Sequence, residues 1–164
     1  MSTSDRFEEQ SSGARLGILM LETRFPRIPG DTGNPATWPF PVLYRIVRGA
    51  SAERAVLQDA RALLPDFIEA ARELVQLGAE AIATSCGFLV LFQRELAAAV
   101  GVPVATSALL QVPWLQSTLP PGRRVGVVTI SASTLTPQHL AAAGAAADTP
   151  LAGVEHGREL YRVL

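Results

Sequence analysis

One stretch of the sequence, residues 79–91, constrains the fold most, because it joins an apolar run, the single cysteine and a second apolar run: AEAIATSCGFLVL. Residues 81–83 predict the end of a buried strand, Thr84–Gly87 predicts a tight connection, and the run from Phe88 predicts the first turn of a helix. A strand that passes directly into a helix indicates an α/β fold, and the cysteine lies in the connection between them.

Cys86 is predicted to lie at a helix N-terminus, where unpaired backbone N–H groups and the helix dipole favour an anion. We therefore expect its thiol to lose its proton more readily than a free thiol. The same donors, including the Gly87 amide, could hold a substrate carboxylate or an enolate oxygen. The alternative is that Cys86 is a small buried apolar residue, which is a common environment for a free cysteine.

Other segments fit the same architecture. Leu16–Leu21 is a continuous apolar run, typical of a strand that is covered on both faces of a parallel sheet, and Val42–Val47 predicts a second strand. Residues 52–64 predict one helix or a broken one, and Pro65 to Gly78 predicts an amphipathic helix.

The segment between the first two strands, residues 22–41, is dense in proline and glycine and predicts a long ordered loop. It follows the carboxyl end of a parallel strand, which is where ligands bind in open α/β sheets. Its polar residues, among them Thr23, Arg27 and Asn34, are candidates to meet a substrate. Alternatively, residues such as Asn34 only stabilise turns.

Two short segments repeat one pattern: residues 13–20 read GARLGILM and residues 122–129 read GRRVGVVT. The match predicts two similar α/β halves. The offset, 122 minus 13, is 109 residues, so the counterpart of Cys86 would fall beyond Leu164. The sequence therefore predicts a disordered leader (1–13), a first lobe that carries Cys86 (14–121) and the start of a truncated second lobe (122–164).

Composition limits the possible partners and sites. The chain has 14 basic residues, all arginine, against 15 acidic ones, so neither a nucleic-acid stripe nor a polybasic membrane patch is expected. One cysteine, no secretory signal and no long apolar run predict a cytoplasmic protein. His139 and His156 lack the close spacing of metal motifs, so no metal site is predicted.

Three motifs together resemble the aspartate/glutamate racemase superfamily, whose relatives include hydantoin racemases, maleate isomerases and arylmalonate decarboxylases. They are ATSCGFL at 83–89, the strand and loop at 16–34, and VGVVTIS at 125–131. The resemblance covers about residues 15–139. It implies a flavodoxin-like, doubly wound parallel sheet that is repeated in two pseudo-symmetric lobes, and a cofactor-independent enzyme that acts on a small carboxylic acid.

By this resemblance, Cys86 is the acid/base that moves a proton next to the substrate carboxylate or, as in the isomerases, a nucleophile. Thr84, Ser85 and the Gly87 amide would orient Cys86 or bind the carboxylate. Thr129 and Ser131, at the end of the second-lobe strand, would hold the substrate from across the cleft. The alternative for these last two residues is helix capping and strand termination.

The sequence departs from the family in ways that leave several functions open. Racemisation by two thiolates cannot run in a chain with one cysteine, so either a second base is missing or replaced, or the reaction needs one face, as in a decarboxylase. Gly87 and Phe88 replace the Asn and Thr usual in glutamate racemases, which puts an amino-acid substrate in doubt. A non-catalytic ligand-binding module and a cysteine hydrolase that uses His139 or His156 are further alternatives.

An incomplete second lobe also bears on assembly. The apolar segment Val125–Ile130 requires cover on both faces, and the sequence after it supplies one short helix and a tail. An uncovered strand edge and apolar patch favour association, so a homo-oligomer is expected, or a second lobe that is complete in the natural gene.

Overall fold

The computed structural model describes residues 15–58 and 60–157; the predicted leader and the last seven residues, 158–164, lie outside these ranges. Four parallel strands form the main sheet in the order β2-β1-β3-β4. They are β1 (Leu16–Leu21), β2 (Val42–Val47), β3 (Ala81–Thr84) and β4 (Val104–Ala105). This strand order is flavodoxin-like, and the predicted α/β fold with a parallel sheet is confirmed.

Five α-helices are described: α1 (Ala52–Leu57), α2 (Leu64–Gln76), α3 (Gln93–Val100), α4 (Val112–Thr118) and α5 (Pro137–Ala142). Short 3-10 helices lie at Pro35–Thr37, Ala60–Leu63, Gly87–Phe92 and Ala108–Gln111. The segment 52–64 is thus broken after Leu57. Within the described ranges, no helix has the length and apolar character that a membrane span requires.

A second, smaller sheet follows. It consists of β5 (Val127–Thr129) and β6 (Leu151–Gly153), which pair in parallel. β5 is shorter than the predicted strand Val125–Ile130. Val128 is 77% exposed, whereas Val127 packs against a buried cluster, so the described residues cover one face of this strand. The division of the chain into two lobes stays a prediction.

Helix α2 covers one face of the main sheet. Its buried residues Phe67, Ala70, Ala71 and Leu74 recur at helical spacing and form one apolar stripe. A Cβ at Gly17 of β1 would lie 3.1 Å from Leu74 Cδ1 of α2 and 2.8 Å from Ile82 Cδ1 of β3. Glycine at this position therefore lets the sheet pack closely against the helix, and a larger side chain would separate them.

The 3-10 helix Gly87–Phe92 joins two buried apolar clusters of the described residues. Its Leu89 and Phe92 pack in the first cluster with α2, and its Phe88 and Val90 pack in the second with α4 and α5. Side chains buried on opposite sides explain why the segment lacks a one-sided apolar stripe. Cys86, just before it, packs against both clusters.

Candidate functional site

A cavity of about 510 Å³ lies at the carboxyl ends of β1 and β3. The chain runs from β1 to β2 on one side and reaches β3 and β4 on the other, so this is the topological switch point of the sheet. The loop after β1, the turn after β3, helix α4 and strand β5 all contribute to its walls. Its size is within the range of small-molecule sites, about 300–1,000 Å³.

Most of the cavity wall is apolar. The larger apolar side chains that line it are Leu21, Phe25, Phe88, Leu109, Val112, Leu115, Val125, Val127, Ile130 and Leu135. The polar side chains that line it are Thr23, Arg27, Ser85, Cys86, Ser107, Gln111 and Thr129. Few polar groups in an apolar wall are typical of a site that orients a small ligand.

Cys86 occupies the N-cap position of the 3-10 helix, with extended backbone angles, and its carbonyl accepts a hydrogen bond of 3.1 Å from the Leu89 N–H. Burial raises the pKa of the Cys86 thiol to about 11, and the nearby backbone N–H groups of Phe88 and Leu89 lower it less. The sequence-based expectation of a lowered pKa is thus corrected: packing between two apolar clusters outweighs the donors of the helix terminus. At neutral pH the free protein holds a protonated thiol.

The residues before Cys86 fix the turn to both neighbouring strands. Ser85 accepts a hydrogen bond of 3.3 Å on its Oγ from the Leu21 N–H, and its own N–H donates to the Leu19 carbonyl at 3.0 Å. Thr84 Oγ1 donates to the Thr106 carbonyl at 2.6 Å. Ser85 therefore lines the cavity, while Thr84 points to β4 and orients the turn from behind.

Gly87 and Ser107 meet at the cavity wall. A Cβ at Gly87 would lie 3.1 Å from Ser107 Oγ, which leaves little room for a side chain. Among the described residues, the Gly87 N–H has no hydrogen-bond partner and is available to a ligand. Ser107 was not predicted as a site residue; its position two residues after the parallel strand β4 was the available signal.

The loop after β1 is ordered by its own polar groups. Asn34 accepts from the Ala36 N–H at 2.8 Å and donates to the Arg27 carbonyl at 2.6 Å, and it does not line the cavity. Arg27 donates to both oxygens of Asp31, at 2.9 and 3.1 Å, and to Thr23 Oγ1 at 2.8 Å. The loop thus brings Thr23 and Arg27 to the cavity and uses Asn34 as a cap.

The turn after β5 has a different arrangement. Thr129 lines the cavity, but Ser131 is fully buried and accepts from the Thr134 N–H at 3.3 Å. The carboxylate of Glu155 accepts hydrogen bonds from the Ala132 N–H and from the Ser133 N–H. The N–H of Glu155 itself, followed by that of Ser133, holds the pKa of this carboxyl below its ordinary value. The donors of this turn are therefore occupied by the chain.

Neither histidine forms a hydrogen bond with Cys86 within the described residues. His139 Nδ1 lies 3.1 Å from the Thr136 N–H nitrogen, and its ring stands edge-on to Phe88 with centroids 5.2 Å apart. Burial lowers the pKa of His139. His139 is thus part of a helix cap and packs beside the Cys86 turn, so the cysteine-hydrolase alternative gains no base from it.

No protein-family model matches the chain. Curated proteins similar in sequence include a dimethylsulfoniopropionate lyase of Durusdinium sp. clade D, 27% identical over 131 residues, which are 77% of this chain and 42% of that protein. Dimethylsulfoniopropionate lyase 3 of Emiliania huxleyi (strain CCMP1516) is 29% identical over 127 residues, which are 74% of this chain and 32% of that protein. The chain therefore spans less than half the length of these relatives.

Solved structures that share the fold include two with different names. A glycine-to-cysteine mutant of arylmalonate decarboxylase in a sulfate-associated form has a TM-score of 0.57 at 15% identity, over 85% of this chain and 62% of that one. An aspartate racemase homologue from Pyrococcus horikoshii OT3 has a TM-score of 0.50 at 16% identity, over 92% of this chain and 70% of that one. The chain thus shares the fold of arylmalonate decarboxylase and of this aspartate racemase homologue, and the predicted resemblance is confirmed at the level of the fold.

Proposed function

We propose that the cavity binds a small carboxylic acid and that Cys86 transfers a proton at the carbon next to the carboxylate, without a cofactor. The observation that carries this proposal is the position of Cys86, which lines a cavity at the switch point beside the free Gly87 N–H. A protonated thiol is competent as a general acid, and a nearby donor stabilises the enolate that forms before protonation.

The raised pKa of Cys86 favours a reaction in which the thiol first gives its proton. In a decarboxylation, the bond between the carboxylate carbon and its neighbour breaks, carbon dioxide leaves, and the electron pair forms an enolate. The thiol proton then adds to the carbon, and water reprotonates the thiolate. This reaction needs a proton donor on one face of the substrate only, and Cys86 supplies it.

A lyase is the second candidate, because the relatives in sequence carry that name. A lyase reaction on dimethylsulfoniopropionate that begins by removing a proton from the carbon next to the carboxylate would use the same thiol as the base. It would require ligand binding to lower the pKa of Cys86, since the free thiol is protonated at neutral pH. Both candidates place Cys86 at the carbon next to a carboxylate.

The test is nuclear magnetic resonance in deuterated buffer, with phenylmalonate and dimethylsulfoniopropionate as substrates. Loss of carbon dioxide with deuterium uptake identifies the first candidate, and loss of the sulfonium group identifies the second. We expect Cys86→Ser to reduce the rate by about 10²- to 10⁴-fold with an unchanged circular dichroism spectrum. Equal rates in the two proteins contradict the proposal. Binding of these acids without turnover would favour the non-catalytic binding module.

A further inference from the structure

The cavity lining contains one charged side chain, Arg27, among the described residues. No aspartate or glutamate lines it, so the described wall offers no carboxylate to a cationic ligand group. Arg27 and Cys86 lie on different segments, the loop after β1 and the turn after β3, and both face the same space. A guanidinium next to an apolar wall is a recognition group for a carboxylate.

Arg27 is held in place by its neighbours before any ligand binds. Its side chain is 18% exposed, and it is fixed by Asp31 and by Thr23. Its guanidinium carbon also lies 4.4 Å from the centre of the Phe25 ring. Since the side chain is already ordered, a ligand that binds it loses little of its affinity to the ordering of Arg27.

An alternative is that Arg27 only stabilises the loop through these contacts. However, Nη1 shares its contact between the two oxygens of Asp31 and Nη2 donates one hydrogen to Thr23, so the Nε–H and the second Nη2–H have no partner among the described residues. Two donors on adjacent nitrogens match the two oxygens of one carboxylate. Asp31, which accepts from Arg27 and from the Gly33 N–H, does not line the cavity, so the free side of the guanidinium remains for a ligand.

The apolar part of the wall determines which other groups the ligand can carry. Phe88, Leu109, Val112 and Leu115 form an apolar surface on the 3-10 helices and α4. An ammonium group against this surface would lose its water without gaining a carboxylate partner. The cavity therefore suits a carboxylate with an apolar substituent and disfavours an amino acid.

From these contacts we propose that Arg27 anchors the ligand carboxylate and that the site selects small acids with an apolar substituent over the corresponding α-amino acids. This proposal rests on the cavity of the proposed function and deepens it, but it concerns binding and not proton transfer. Because Asp31 balances the charge of Arg27, the anchor acts through directed hydrogen bonds, and the affinity should depend only weakly on salt.

The test is isothermal titration calorimetry on the Cys86→Ser variant, in which turnover is removed and binding is retained. The probes are phenylacetate, its amide phenylacetamide, and phenylglycine, which adds an ammonium group to the same acid. We expect phenylacetate to bind about tenfold more tightly than either of the other two. No measurable binding of phenylacetate, or equal binding of phenylglycine, overturns the proposal.

Arg27→Met should weaken phenylacetate binding by about 10- to 100-fold, because charge-assisted hydrogen bonds are lost, and Arg27→Lys should restore part of the affinity. Arg94→Met, on the exposed side of α3, is the matched arginine control and should bind as before. Unchanged binding in Arg27→Met contradicts the anchor. If Arg27→Met fails to fold, the relative affinities of the Cys86→Ser variant for phenylacetate, phenylacetamide and phenylglycine test the proposal. A failure of proton transfer would appear in the deuterium experiment and leave these affinities unchanged.

Discussion

Two turns lie at the carboxyl ends of parallel strands, one after β3 and one after β5, and they use their backbone donors in opposite ways. After β3, the Gly87 N–H is free among the described residues and Cys86 faces the cavity. After β5, the N–H groups of Ala132 and Ser133 are occupied by the carboxylate of Glu155. The same position in a parallel sheet is thus open to a ligand in one case and closed by the chain in the other.

The difference has a local cause in each turn. Glycine at position 87 leaves space next to Ser107, which a side chain would fill. Glycine at position 153 leaves space for the Glu155 carboxylate, which a Cβ at this position would overlap. One glycine therefore keeps a ligand site clear, and the other makes room for a carboxylate from the chain. The first turn is suited to chemistry and the second to holding β5 and β6 together.

The largest expected effect concerns the Cys86 thiol. Its pKa of about 11 predicts that iodoacetamide labelling of the folded protein rises up to about that pH, and that the thiolate fraction at neutral pH is about 100-fold below that of the unfolded chain. Because the folded pKa lies above the unfolded one, stability should also fall as the pH rises from 9.0 towards 11. The control is the same chain in denaturant, and circular dichroism at each pH confirms folding. A midpoint below about 8.5, the free-thiol value, in the folded protein would instead support the expectation of an activated thiolate.

The next prediction compares a hydrogen bond that stabilises the turn after β3 with one that stabilises the turn after β5. Thr84→Val removes the donor to the Thr106 carbonyl and should cost about 1–3 kcal/mol of unfolding free energy, with altered labelling of Cys86. Ser131→Ala removes the buried acceptor of the Thr134 N–H and should cost a similar free energy with unchanged labelling. Urea unfolding and labelling rates measure both quantities.

The control for this pair is Thr118→Val, since Thr118 is exposed and donates to a carbonyl of its own helix; we expect a change within about 0.5 kcal/mol. Altered Cys86 labelling in Ser131→Ala would show that the two turns are coupled, and the comparison between them would no longer hold.

Local patterns in the sequence predicted much of the fold. β1 and β2 match their predicted bounds because the residues that favour a strand lie together in one short segment in each case. Helix α2 was predicted because its apolar stripe and Pro65 lie within one segment. The turn at Cys86 was found for the same reason: strand, connection and apolar run are adjacent in sequence.

What the sequence did not reveal depends on residues far apart in the chain. The pKa of Cys86 is set by packing between two clusters, one of which includes α5, about fifty residues later. Thr84 bonds to Thr106, and Glu155 to Ala132, across 22 and 23 positions. Thr84 and Ser131 were predicted to contact the substrate from their place at strand ends, but which way each side chain points is decided by these distant partners.

The smallest expected effect concerns the contact between Glu155 and the turn after β5. Glu155→Gln keeps the shape of the side chain and removes the charge that the N–H groups of Ala132 and Ser133 bind, so the melting temperature should fall at neutral pH. The pKa of Glu155 is lowered in the folded state, which means that its contribution is present above the unfolded value and is lost as the pH falls through the folded one. The gap between the unsubstituted chain and Glu155→Gln should therefore narrow below about pH 4. Glu69→Gln, on the exposed side of α2, is the matched control and should show a small gap at every pH. A gap for Glu155→Gln that stays constant with pH would mean that the carboxylate does not hold this turn, and the donors after β5 would then be as free to meet a ligand as those after β3.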